Sequence, residues 1–197
     1  MILFFDTETT GLADFNKRAR DPAQPHIVQL AAIAMTDDLA TEIDAYNVIV
    51  KPDGWTIPKE ASDVHGITME KAAGGIPEKD AATKLLEMIA LSALIVAHNI
   101  TFDKFIARIA MRRYDLMTDA QDLWWKQLPT FCTMRATTDL CKLPGPFAGK
   151  FKWPKLQEAH QHAFGETFDG AHDALADVRA CSRIYRWLQS QKQEVVA

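Results

Sequence analysis

The chain has 197 residues, with 26 acidic and 22 basic side chains and a formal net charge of −4. That length suits one large domain, and 48% hydrophobic residues are enough for a sizeable core. The acidic balance argues mildly against a sequence-independent nucleic-acid binder, which is usually basic. It does not argue against an enzyme that gathers carboxylates around metal, because bound cations reverse the local sign. Cys132, Cys141 and Cys181 form no CxxC pair, and an odd count speaks against a disulfide framework. A reducing, cytoplasmic location is expected. The start, MILFFDTETTG, has no basic n-region, so no signal peptide is expected there. No apolar run is long enough to predict a transmembrane helix.

In chain order, Ile2–Phe5 is an apolar run ending at Asp6, which predicts a buried strand. Residues 16–21 are polar and basic, and with Pro22 and Pro25 behind them they read as a loop. His26–Met35 and Ile43–Val50 read as two further strands, and Pro52-Asp53-Gly54 as a turn. Thr68 is placed to cap a short helix reaching Ala73. Pro77 reads as the first-turn proline of a helix reaching about Leu91. Leu94–Ala97 predicts a short buried strand. Phe102, Phe105, Ile106 and Ile109 form a helical stripe at i, i+3, i+4, i+7. A helix over Asp119–Gln127, a strand over Thr130–Thr133 and a helix to about Leu140 follow. Residues 143–154, with three prolines and two glycines, are expected to be irregular. Helices over Leu156–Phe164 and Ala174–Leu188 end the series, giving one domain over 1–190 and a tail at 191–197. Five strands interleaved with helices predict an α/β fold, a mixed sheet flanked by helices.

Asp6 and Glu8 close the first strand, and side chains at i and i+2 share a face. Two carboxylates together at a strand end suit a hard cation, although the same pair also suits a solvated strand end. Asp177 is more telling. At about 100° per residue it falls inside the apolar arc of Ala174, Val178, Cys181, Ile184, Tyr185 and Leu188. A carboxylate there is costly unless it is paired or bound to metal, and no arginine partner is evident. Asp103 lies in the first turn of its helix, where the helix dipole alone accounts for an acid. His98 and Asn99 follow a buried strand, where they either line a site or bond loop backbone. His172 precedes the last helix. A histidine titrates near neutral pH and can accept a proton from water.

Together these residues form an ordered set: FDTETTG at 5–11, HNITFD at 98–103 and HDALAD at 172–177. With them the chain resembles the DnaQ-like (DEDDh) exonucleases, from about residue 2 to 188. VHGIT at 64–68 also resembles the family's loop between the third strand and the next helix. The resemblance implies an RNase H-like fold with a five-stranded mixed sheet. It implies metal binding by Asp6, Glu8, Asp103 and Asp177, with His172 as general base and two divalent cations, Mg²⁺ or Mn²⁺, as cofactor. The activity implied is 3′–5′ exonuclease action releasing nucleoside 5′-monophosphates. By the same similarity Thr9, Leu12, His65, Asn99 and Phe102 meet the terminal nucleotide, although Phe102 also belongs to its helix's core stripe.

Two basic stretches are candidates for holding a strand. Lys142, Lys150, Lys152 and Lys155 interleave with Phe147, Phe151 and Trp153, a mixture that suits single-stranded nucleic acid. Lys17, Arg18 and Arg20 follow the first motif; for both stretches a solvated loop is the plain alternative. The expected partner is the 3′ end of a nucleic acid, in the first instance single-stranded DNA, with no membrane. An RNA-directed enzyme resembling oligoribonuclease or RNase T stays open, because contacts to a 2′-hydroxyl cannot be read from sequence. So does a non-catalytic binding module, and so does a proofreading subunit bound to a polymerase through a surface patch.

Overall fold

The computed structural model describes residues 1–147 and 149–194. Strands β1 (Ile2–Thr9), β2 (Ile27–Met35) and β3 (Glu42–Lys51) form an antiparallel meander. Strands β5 (Leu94–Ala97) and β6 (Thr130–Cys132) add to the free side of β1 in parallel. A two-residue strand, β4 (Ile76–Pro77), lies on the far side of β3, so the sheet order is β4-β3-β2-β1-β5-β6. The sheet is therefore mixed, as expected, but has six strands among the described residues. The addition is an edge too short to leave a periodic signal. It is possible because Gly75 lets the chain approach β3: a Cβ there would lie 2.5 Å from the Ile49 carbonyl oxygen.

The helices are α1 (Lys59–His65), α2 (Met69–Ala72), α3 (Glu78–Ala90), α4 (Ile100–Arg113), α5 (Asp119–Gln127), α6 (Thr133–Cys141), α7 (Leu156–Phe164) and α8 (Ala174–Glu194). Three expectations need correction. Residues 64–68, expected as loop, begin as the end of α1: Val64 and His65 are helical, and Gly66 closes the helix in the left-handed conformation at φ 71°. Pro77 stands just before α3 rather than in its first turn, because it is the second residue of β4, opposite Lys51. Helix α8 runs past Leu188 to Glu194, so the tail expected at 191–197 is helical at its start, and 195–197 lie outside the described residues. The described residues of 143–154 are irregular save for one bridge between Pro144 and Phe151.

The alternation of β1 distributes its side chains to two cores. Leu3 and Phe5 face a cluster with α3 and α4 that includes Leu85, Ile89, Ile106 and Ile109. Ile2 and Phe4 face a second cluster with Val178, Cys181 and Tyr185 of α8. Helices thus cover both faces of β1, which accounts for its near-continuous apolar run. The consequence for function lies at its far end. There α4 and α8, from opposite faces, each bring an N-terminal turn to the last residues of β1.

Candidate active site

Asp6 and Glu8 continue the α8-facing side of β1 beyond Phe4, and Asp177 lies in the first turn of α8. Asp103 comes from the first turn of α4 and is 3% exposed. It crosses to β1 by accepting hydrogen bonds from the Thr7 backbone N–H (3.1 Å) and the Thr7 hydroxyl (2.9 Å). The helix dipole by itself accounts for an acid in that turn; the burial of Asp103 shows that helix-start chemistry alone does not account for it.

His172 adopts the left-handed conformation at φ 70°, uncommon for a residue with a side chain. Its backbone N–H donates to Asp177 Oδ2 (3.2 Å). Its imidazole remains exposed, and ligand atoms of Glu8, His172 and Asp177 lie within 4.8 Å of one another. Asp173 caps α8: its Oδ1 accepts from the Leu175 and Ala176 amides, both at 3.1 Å.

Buried Gln29 completes this turn. It sits opposite Glu8 on β2, donates to Asp173 Oδ2 (3.0 Å) and accepts from the Ala174 amide (3.2 Å). Gln29, Thr7 and Asp173 were not singled out in the sequence. The available signal was a lone glutamine in the wholly apolar stretch IVQLAAIAM, where a buried amide must find partners.

The electrostatics of the four carboxylates are those of an anion-rich site without compensation. Burial, and then the charges of Asp103, Asp177 and Glu8, hold the Asp6 carboxyl well above the usual range. Burial raises Glu8 to about 8, with Asp177 and Asp103 adding to it. Burial brings Asp103 to about 7 against the opposing hydrogen bonds from Thr7. Burial brings Asp177 to about 6 against the His172 N–H. Among the described residues no lysine or arginine pairs with any of the four, and Asp177 Oδ1 is buried without a hydrogen-bond partner. Leaving an acceptor in that state costs about 1–3 kcal/mol. A hard divalent cation, which takes oxygen ligands, removes both penalties, so the donor set fits such a metal.

Beside the carboxylates lies a cavity of about 520 Å³. Its wall includes Glu8, Thr9, Leu12, His65 and Phe102, which brings together four of the five residues expected to meet a terminal nucleotide. Leu12 is 89% exposed at the rim. His65 is buried; its Nδ1 accepts from the Ile67 amide (3.1 Å), and burial lowers its pKa, with His172 adding to the effect. Val64 and Ala61 of α1 also line the cavity, so the unanticipated helix forms one wall. Asn99 is not on this wall. Left-handed at φ 75°, it serves to start α4. Its neighbour His98 bonds the Thr133 hydroxyl and the Pro154 carbonyl oxygen, both at 3.0 Å, and so fastens loop 143–154 to the sheet.

The exonuclease family model RNase_T matches residues 3–185. The chain is 32% identical over 178 residues to an uncharacterized exonuclease, CP81, of Escherichia phage 186, spanning 90% of this chain and 82% of that protein. It is 37% identical over 106 residues to the DNA polymerase III subunit epsilon of Rickettsia prowazekii, 53% of this chain and 42% of that one. E. coli exonuclease I, solved with a dT13 oligonucleotide, superposes with a TM-score of 0.76 at 22% identity. That match covers 99% of this chain but only 42% of exonuclease I. The chain belongs to the RNase_T exonuclease family: it is a DnaQ-like nuclease with an RNase H-like fold. Enzymes of this family use divalent metal ions, and the Glu8, His172 and Asp177 cluster is a candidate place for one. Among the described residues no helix is long and apolar enough to cross a membrane.

Proposed function

We propose that this chain is a 3′–5′ exonuclease that removes nucleotides singly from single-stranded DNA, releasing nucleoside 5′-monophosphates, with the activity in one domain over 1–190. The observation that carries this reading is the convergence of Asp6, Glu8, Asp103 and Asp177 beside a cavity of mononucleotide size. Support for a single-stranded DNA substrate comes from the oligonucleotide held by exonuclease I in the structural match.

Asp6, Glu8, Asp103 and Asp177 would hold two divalent cations, Mg²⁺ or Mn²⁺. Bound there, such cations supply Lewis acidity, acidifying a water and offsetting charge on the phosphate and the leaving oxygen. The protein does the rest. Leu12 and Phe102 offer apolar walls to the terminal base, and Thr9 and His65 line the same space. His172, exposed and beside Glu8 and Asp177, takes the proton from the attacking water. The water oxygen bonds to phosphorus, the bond from phosphorus to the 3′-oxygen breaks, and the 3′-oxygen takes up a solvent proton.

The test uses 3′- and 5′-labelled DNA and RNA oligonucleotides, single- and double-stranded, with Mg²⁺ or Mn²⁺. The expected result is a one-nucleotide ladder on 5′-labelled single-stranded DNA and immediate release of mononucleotide from the 3′ label. Faster degradation of RNA would move the reading to an exoribonuclease. Absence of any metal-dependent product, with the oligonucleotide still bound, would leave only a binding module. Co-elution with a polymerase would add a proofreading partner.

A further inference from the structure

Helix α4 carries Asp103 toward the carboxylates and a basic, aromatic surface elsewhere. One turn after Phe102, Phe105 stacks on Phe15, with ring centroids 4.7 Å apart and planes 20° from parallel. Phe15 is 55% exposed, so one side of this platform faces solvent. The pair opens a cavity of about 380 Å³ whose wall includes Thr101, Lys104, Arg108 and Trp125. Lys104 Nζ lies 5.8 Å from the Trp125 ring centroid. It has no carboxylate partner among the described residues, and burial lowers its pKa.

Arg108 also borders a second cavity of about 540 Å³, with Arg18, Arg20 and Arg112. Arg108 therefore lines both spaces. Six cations (the four arginines, Lys104 and Lys126) line them, against the two carboxylates of Asp119 and Asp122. The chain as a whole carries −4, so this surface has the opposite sign. Part of the clustering is structural: Arg108 and Arg112 tie α4 to Asp122 and Asp119 of α5, and Arg20 pairs with Asp115 at 2.8 Å. Those pairs give no reason for Lys104 or Arg18, each without an ion pair among the described residues. A half-exposed aromatic platform among spare cations suits a flexible polyanion with flat bases.

We propose that these two neighbouring cavities, which share Arg108, form an upstream subsite for the single-stranded substrate. Nucleotides 5′ of the terminal one at the catalytic carboxylates stack on Phe15 and place their phosphates on Lys104 and Arg18. The inference rests on the exonuclease reading and extends it by naming a path for the strand. The competing path is loop 143–154, reached across Thr101, whose hydroxyl accepts from Arg135 at 3.4 Å while the Arg135 guanidinium lies 6.0 Å from the Trp153 ring centroid.

The variants to compare are Phe15→Ala, Lys104→Met and Arg18→Ala on one path, and Lys150→Ala and Trp153→Ala on the other. Lys104→Met keeps the packed alkyl stem while removing the charge. The first readout is the ratio of kcat/KM on a ten-nucleotide single strand to that on a dinucleotide, which offers the fewest upstream nucleotides. This ratio is expected to fall about tenfold in Phe15→Ala and Lys104→Met, the scale of one lost base stack. The second readout is binding of the ten-nucleotide strand in EDTA against salt concentration. Each lost phosphate contact lowers the slope of log K against log salt by ~0.7. Unchanged ratio and slope in all three cavity variants overturn the proposal, as does a fall confined to Lys150→Ala and Trp153→Ala. A wild-type protein that hydrolyses neither substrate sinks the exonuclease reading instead, and the EDTA binding series still decides the subsite.

Discussion

Asp177 shows most directly how a single residue carries chemistry here. It lies on an otherwise apolar helix face, one oxygen held by the His172 amide and the other buried with nothing to accept from. In the proposed four-carboxylate site, removing it or Asp6 takes away one of the oxygen ligands. Asp6→Ala and Asp177→Ala are each expected to abolish metal-dependent turnover while oligonucleotide binding in EDTA persists; measurable turnover in either variant contradicts the four-carboxylate assignment. His172→Ala is expected to lower kcat by about 10²–10⁴, the usual worth of a positioned proton acceptor, with little change in KM. Equal rates in the variant and the wild type would remove His172 from that role. Asp6→Asn separates stability from activity. Its parent carboxyl is held high by burial and by the charges of Asp103, Asp177, Glu8 and Asp173, so the amide is expected to raise the melting temperature of the metal-free protein even as activity disappears. Thermal unfolding in EDTA checks this.

At the level of elements, two buried polar anchors determine where α4 and α8 sit. Gln29 joins β2 to the first turn of α8 through Asp173 and Ala174. Gln29→Leu leaves those partners without it, which costs about 1–3 kcal/mol and frees the turn that aims Asp177. The expected outcome is a lower kcat and weaker metal dependence together, read from Mg²⁺ titrations. Loss of stability with kinetics unchanged would make Gln29 merely structural. Glu78 is the second anchor. Buried at the head of α3, it accepts from His26, the Ile27 amide, Arg113 and Tyr114. Its pKa is lowered in the fold, desolvation being outweighed by the His26 hydrogen bond and the Arg113 charge. A lowered folded value means that the stabilisation is present above the ordinary carboxylate range and lost as pH falls through the folded value. Glu78→Ala is therefore expected to cost about 3–5 kcal/mol at neutral pH, since it leaves the Arg113 charge half-buried and unpaired. Denaturant unfolding at pH 7 tests this.

On the scale of the molecule, the clustered carboxylates Asp6, Glu8, Asp103 and Asp177 oppose folding when no cation is bound. Their pKa values in the fold are raised, Glu8 to about 8, Asp103 to about 7 and Asp177 to about 6. A raised carboxylate favours the folded state only while protonated, so stability falls as pH climbs from the ordinary carboxylate range through these values. In EDTA the melting temperature is expected to decline between pH 5 and 8, by roughly 2–4 °C for each kcal/mol lost in a protein of this size. In the proposed site, Mg²⁺ or Mn²⁺ would bind the deprotonated set and stabilise the fold by mass action. The stabilisation by metal is thus expected to be larger at pH 8 than at pH 5. Equal shifts at the two values would show that the carboxylates do not share one site.

The sequence by itself determined most of the sheet and most of the helices. Their periods and breakers are local: the apolar run of β1, the stripe of α4 and the arc of α8 are each written within one segment. It also ordered the three motifs, so the carboxylates and His172 were legible before any geometry. Only the tertiary structure decided what was not local. The edge strand β4 exists because Gly75 admits the backbone of β3, and the length of α8 beyond Leu188 follows no change in its pattern. Asp103 was unremarkable in its own helix and became a buried partner of Thr7, 96 residues away in the chain. Gln29 acquired its meaning from Asp173, 144 residues away. Side-chain partners at such separations are chosen by packing across the sheet, and nothing in the local propensity of either residue encodes the other.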